Sequence, residues 1–140
     1  FGALQIGVME HVVSDNPEFA VQLLSRLRDV GASTWLVDFA RRTTALPHLH
    51  RLAIDGVRFD EALTSVAVSD ARQRKVLAAF IETVTALDAR AMVGGVGTLE
   101  EADAFHKLGA SFAVGPAFGR LLSAQAASNL VVSPQAAAAE

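Results

Sequence analysis

Short apolar runs alternate with amphipathic segments along almost the whole chain, and this alternation restricts the fold more than any single residue does. The runs are Leu4 to Met9 (LQIGVM), Thr34 to Phe39 (TWLVDF), Ile54 to Phe59 (IDGVRF), Ala91 to Val93 and Ser111 to Val114. TWLVDF is β-branched, aromatic and nearly all apolar, as a strand covered on both faces of a parallel sheet must be. Between the first two runs, Asp15-Asn16-Pro17-Glu18 supplies cap-type residues, a first-turn proline and an acid at the positive end of a helix dipole. The helix it opens runs to about Val30, burying Phe19, Leu23, Leu24, Leu27 and Val30, and Gly31 ends it. A shorter helical stretch is expected around Thr44 to Leu52. A long helix is expected from Asp70 to Leu87, with Val76, Leu77, Phe80, Ile81, Val84 and Leu87 in one stripe. Thr98 and Glu101 have capping-box spacing and open a last helix that stops near Gly109.

The order βαβαβαβαβ with short connections specifies an α/β fold, either a parallel open sheet or part of a barrel. At 140 residues and 51% hydrophobic content the chain forms one folded unit with a sizeable core. No apolar stretch is long enough for a helical membrane span, and the absence of cysteine excludes disulfides and thiolate metal sites. Both features favour the cytoplasm. A net charge of -3 argues against DNA or RNA as partner, because backbone binding needs a basic face.

MVGGVGTLEE, residues 92 to 101, is a strand-loop-helix context in which glycines often cradle a phosphate. It lacks the third glycine of a dinucleotide fingerprint, where Glu100 stands, and the Lys-Ser/Thr of a P-loop. His48 and His50, two apart, point in different directions on a helix and make a poor metal clamp, and His11 and His106 have no evident liganding neighbours. Arg41 and Arg42 are placed either to meet an anion at the C-terminal edge of the sheet or to sit exposed in a loop. Asp38, Arg58 with Asp60, and Gly94 to Gly97 all fall at the ends of successive expected strands, where barrel and open-sheet sites assemble.

These landmarks resemble the C-terminal half or more of an EAL domain, the bacterial family that hydrolyses cyclic di-GMP on a modified TIM (β/α) barrel with mostly parallel strands. LQIGVMEHVVSDNPE is similar to the family's L-E-[IV]-T-E segment and D-P-E helix start. LVDFARRTTALPHLHRLAIDGVRFD is similar to D-D-F-G-T-G-Y-S-S-L followed by L-x-x-L-P-[VI]-D and K-[IL]-D. VGGVGTLEEADAFHKLG has the shape of A-E-G-V-E-T with its helix, and GASFAVGPAFGRLLS that of G-x-x-x-x-Q-G-x-x-F-x-x-P-[LI]. Glu61-Ala62-Leu63 spells the family signature by coincidence, since the signature belongs upstream of LQIGVMEHV.

The resemblance implies that the family's chemistry is lost residue by residue. Gly7 stands at the metal-binding Glu of L-E-[IV]-T-E, although Glu10 keeps the later acid. Val37 replaces the first Asp of D-D-F and leaves Asp38. Arg58 replaces the catalytic-site Lys while Asp60 is kept. Gly94 and Gly97 replace both Glu of A-E-G-V-E-T, and Val114 replaces the Gln. Metal-assisted hydrolysis depends on such carboxylates, so the expectation is a degenerate EAL domain with no metal, no other cofactor and no phosphodiesterase activity.

Residues 1–123 are expected to form the C-terminal part of that domain, and 124–140 a helix and low-complexity tail. The domain is read as a regulatory or interaction module in cyclic di-GMP signalling, with Asp38, Arg58, Phe118 and Arg120 as candidate contacts to the dinucleotide. Leu121 stands where the family has Pro. Two other readings stay open: a ligand-independent protein-binding scaffold, and an unrelated barrel enzyme using the Gly94 to Gly97 loop for a phosphorylated substrate. A partial barrel exposes sheet edges and apolar interior, so the chain is expected to be a segment of a longer polypeptide, or to need a protein partner or self-association.

Overall fold

The computed structural model describes residues 4–42, 45–119, 122–125 and 128. Five parallel strands lie side by side in chain order: β1 (Gln5–Met9), β2 (Ser33–Phe39), β3 (Gly56–Phe59), β4 (Arg90–Val93) and β5 (Phe112–Ala113). A sheet that adds each strand beside the last without reversing is an arc of a barrel rather than a doubly wound sheet. The helices are α1 (Glu10–Asp15), α2 (Pro17–Asp29), α3 (Glu61–Ser69), α4 (Ala71–Thr85) and α5 (Leu99–Lys107), with 3-10 turns at Leu46–Arg51 and Pro116–Phe118.

The two faces of the sheet differ because strand side chains alternate. On one face Val8, Leu36, Val57, Ala91 and Val93 are buried against Val13, Leu24, Leu77, Ile81 and Phe105 of the surrounding helices. On the other, concave face lie Gln5, Gly7, Trp35, Val37, Arg58 and Met92, which share one cavity of about 300 Å3. The lower layer of that face is a cross-strand stack. Arg90 places its guanidinium 5.3 Å from the Trp35 ring centroid and 5.4 Å from that of Phe112. Trp35 takes the space above Gly56, where a Cβ would stand 2.4 Å from a ring carbon.

Helix starts follow the capping residues. Asn16 accepts from the Phe19 N–H at 3.1 Å and Asp70 from those of Arg72 and Gln73 at 2.7 and 3.2 Å. Gly31 and Gly109 end their helices at φ 82° and 99°, a region that costs glycine little.

Several expectations need correction. α1 and α3 were not foreseen as helices, and the stretch around Thr44 to Leu52 is a 3-10 turn from Leu46, Thr44 itself lying outside the described residues. The buried stripe of α2 centres on Ala20 and Leu24, which leaves Phe19 on its margin at 52% exposure, while Val30 lies past the last turn at 66%. In α4 Leu77, Ile81 and Val84 carry the burial, whereas Val76 flanks the stripe and Leu87 follows the helix end, both exposed.

Candidate functional site

Because all five strands are parallel, their C-terminal ends form one mouth. In the loop after β2, Arg42 and Ala45 are tied to one buried carboxylate. Glu10, at the start of α1 and 3% exposed, accepts from the backbone N–H groups of Arg42 at 3.2 Å and Ala45 at 3.4 Å. A buried carboxylate is tolerated there because backbone donors compensate its lost hydration. Within the same loop Asp38 and Ala40 have φ of 57° and 69°, the left-handed region that side chains other than glycine's rarely adopt.

This twist has a consequence for Asp38. Simple alternation would send its side chain to the helix-covered face, opposite Val37. The pairing of β2 with β3 breaks register between Leu36 and Phe39, and the carboxylate instead meets Arg58, with Nη2 donating to Oδ1 at 3.0 Å. Among the described residues, Arg58 is the one charged residue lining the 300 Å3 cavity of the concave face. Its single bond to Asp38 leaves guanidinium donors for another acceptor.

Gly7 and Val37 meet on that same floor. A Cβ built on Gly7 would stand 2.7 Å from Val37 Cγ1, so the valine has taken the room of a side chain at position 7. The glycine loop after β4 is filled differently. Gly94 is buried, its carbonyl accepts from Thr64 Oγ1 at 2.7 Å, and Glu61 Cγ lies 3.0 Å from where its Cβ would be. Gly97 donates its N–H to Glu101 Oε2 at 2.8 Å, while Thr98 Oγ1 accepts from the Glu101 N–H at 3.2 Å. The expected capping box therefore forms, with its return bond one residue earlier than usual. These N–H groups are consequently not aimed at open space.

Val114 is 40% exposed and is tied to that loop by its carbonyl, which accepts from the Val96 N–H at 3.1 Å. Gly115 is required beside it, because a Cβ would stand 2.3 Å from the backbone N and O of Val96. Phe118, 54% exposed in the turn after β5, stands two strands beyond Arg58. Arg120 lies outside the described residues. The structure thus joins Asp38 to Arg58, and Gly7 to Val37, but places Phe118 at the far side of the mouth. His48, His50, His11 and His106 form no metal cluster, and among the described residues no three His, Cys, Asp or Glu side chains are arranged to hold an ion. Sequence reasoning missed the grip of Glu61, Thr64 and Glu101 on the glycine loop; Asp60 directly before Glu61, accepting from the Ala62 N–H at 2.9 Å, was the available signal for a helix there.

Comparison with known proteins supplies the family. An uncharacterized protein of Azorhizobium caulinodans is 30% identical over 121 residues, which is 86% of this chain and 16% of that protein. The cyclic di-GMP phosphodiesterase NbdA of Pseudomonas aeruginosa is 26% identical over 98 residues, 70% of this chain and 12% of its own length. The chain therefore spans less than a fifth of either relative. Among solved structures, the EAL domain of Mycobacterium smegmatis DcpA superposes with a TM-score of 0.84 at 21% identity, covering 94% of this chain and 59% of that one. The PaMucR phosphodiesterase in complex with cyclic di-GMP gives 0.82 at 20% identity, covering 90% and 51%. The EAL domain profile matches residues 2–121, and the chain belongs to the EAL domain family.

Proposed function

We propose that this chain is a catalytically inactive EAL domain that acts as a regulatory module in cyclic di-GMP signalling and recognises the dinucleotide without a metal ion. The observation that carries the reading is the floor of the mouth, where Gly7 and Val37 close on one another and the Asp38 carboxylate is paired with Arg58 at 3.0 Å. A divalent ion does not fit these residues. Gly7 offers no ligand atom, Val37 offers methyl groups, and a guanidinium on the remaining carboxylate repels a second cation.

The same arrangement suits a phosphodiester. A ligand phosphate finds in Arg58 a planar donor fork oriented by Asp38, in a cavity whose other walls are largely apolar. Phe118 adds a candidate contact from the far side and Arg120 is retained as a candidate by its place in the sequence, with residues 1–123 as the domain and 124–140 as a tail. The phosphate-loop alternative is disfavoured because Glu101 and Thr98 already use the donors at the start of α5. A ligand-independent scaffold is favoured by no observation beyond the exposed apolar face.

The test is calorimetric titration of the full-length protein with cyclic di-GMP, with and without Mg2+, followed by chromatography of the mixture. Binding of equal strength in both conditions, with no linear dinucleotide formed, is the expected result. Product that appears only with Mg2+ refutes inactivity, and an absence of heat leaves the scaffold.

A further inference from the structure

We infer that the apolar groove between the turn joining α3 to α4 and one side of α5 is a docking site for a partner protein that presents a large apolar side chain beside a lysine or arginine. The inference deepens the regulatory reading above by giving the module a partner surface. It is tested without the dinucleotide, so either reading can fail alone.

The groove encloses about 220 Å3, and Val68, Ala104, Phe105 and Leu108 form most of its lining. That is below the roughly 300 Å3 at which pockets begin to bury a drug-sized ligand. It suits a single side-chain anchor of the kind that dominates protein interfaces. Val68 is 39% exposed and Ala104 is exposed as well, so an anchor seated there removes apolar surface from water.

The groove is also preformed. Arg74 lines it and donates from Nε to the Ala67 carbonyl at 3.0 Å and from Nη2 to the Val68 carbonyl at 2.6 Å. These bonds fasten the end of α3 to the start of α4 and engage the guanidinium with backbone acceptors. A wall already fixed lowers the ordering cost of binding.

The charge at the rim decides which partner fits. Glu100 is exposed and has no hydrogen-bond or ion-pair partner for its side chain among the described residues. Glu101 commits Oε2 to the Gly97 N–H at 2.8 Å, and a carboxylate retains lone pairs for a further donor. Both acids stand in the first turn of α5, where the helix dipole favours their ionised form. An apolar recess with two carboxylates at its edge, and its guanidinium already engaged, complements a cationic amphipathic segment and rejects an acidic one.

The position joins the groove to the mouth of the sheet. Its walls α3 and α5 are the helices that hold the glycine loop after β4, through Thr64 to the Gly94 carbonyl at 2.7 Å and through Glu101 to Gly97. A partner seated between them touches the elements that fix that side of the mouth.

The experiment measures, by fluorescence anisotropy, binding of the full-length protein to a labelled short helical peptide of Leu and Lys and to its Leu and Glu counterpart. Three variants separate shape from charge. Ala104→Gln fills the groove with a polar amide and keeps a good helix former, Glu100→Gln removes one rim charge, and Asp29→Asn makes the same charge change at the end of α2; unchanged melting temperatures verify folding. The Leu and Lys peptide is expected to bind the wild type at least about tenfold more tightly than the Leu and Glu peptide. Ala104→Gln should weaken it at least about tenfold, Glu100→Gln about two- to fivefold, the worth of one exposed ion pair, and Asp29→Asn should leave it unchanged. Equal binding of the two peptides, or undiminished binding by Ala104→Gln, overturns the assignment. If Ala104→Gln instead dissociates an oligomer of the full-length protein in sedimentation velocity, the occupant is a second copy and the proposal falls. The groove stands if these results hold and the protein binds no cyclic di-GMP, in which case only the receptor reading is lost.

Discussion

Val37 and Gly7 are informative as a pair because each explains the other. Val is stiff about χ1, so a side chain restored at position 7 alone meets Cγ1 at 2.7 Å with little means of avoidance. Gly7→Glu should therefore destabilise the protein by about 1–3 kcal/mol through overpacking. The Gly7→Glu/Val37→Asp double variant should cost less than the sum of the two single changes, a coupling that a double-mutant cycle in urea would measure. Strict additivity would mean that the contact is incidental. Position 7 was read in the sequence as the place of an absent acid, but its contact with Val37 was not legible there, because a motif reports residue types and not which side chain occupies the neighbouring space. The Asp38–Arg58 bond was hidden for a related reason. It depends on a left-handed residue and a register break in β2, and period-two reasoning assigns Asp38 to the opposite face.

The elements were read with more success where apolar periodicity and caps agreed. All five strands fall where the apolar runs lie, and α2, α4 and α5 start at Asn16, Asp70 and Thr98, each accepting from a backbone N–H in the first turn. Where the pattern was weak the reading failed. α3 has no wide apolar stripe in its sequence EALTSVAVS; it packs chiefly on α4, the next helix, and adds a few contacts distant along the chain. One of these is the buried Thr64 hydroxyl, which donates to the Gly94 carbonyl at 2.7 Å and so clamps the glycine loop to α3. Thr64→Val is nearly isosteric and removes the hydroxyl that donates to this carbonyl, leaving a buried acceptor unsatisfied at a cost of about 1–3 kcal/mol. The denaturation midpoint should fall accordingly, and hydrogen exchange at Gly95 and Val96 should quicken more than in the core strands. A midpoint shift with uniform exchange across the chain would assign the hydroxyl a general packing role instead.

At the scale of the whole molecule the concave face decides behaviour. Barrel closure of this type takes about eight strands, and the described sheet has five, so β1 and β5 are edges whose outer hydrogen-bonding groups face no strand within it. The face between them carries Met9, Phe112 and Val114 at 40–46% exposure. Contiguous apolar surface beyond a few hundred Å2 is rare on soluble monomers, and unpaired strand edges template association. The 140-residue chain on its own should therefore self-associate with rising concentration and bind a hydrophobic dye, both measurable by sedimentation velocity and fluorescence. Phe112→Glu should reduce the association, because it puts a charge on the exposed β5 edge. It also exchanges the ring that flanks Arg90 for a carboxylate that this guanidinium can pair with. A monodisperse monomer without dye binding at high concentration would mean that this face tolerates water as it stands, and that Arg58 and Arg90, one at each layer, hydrate it sufficiently.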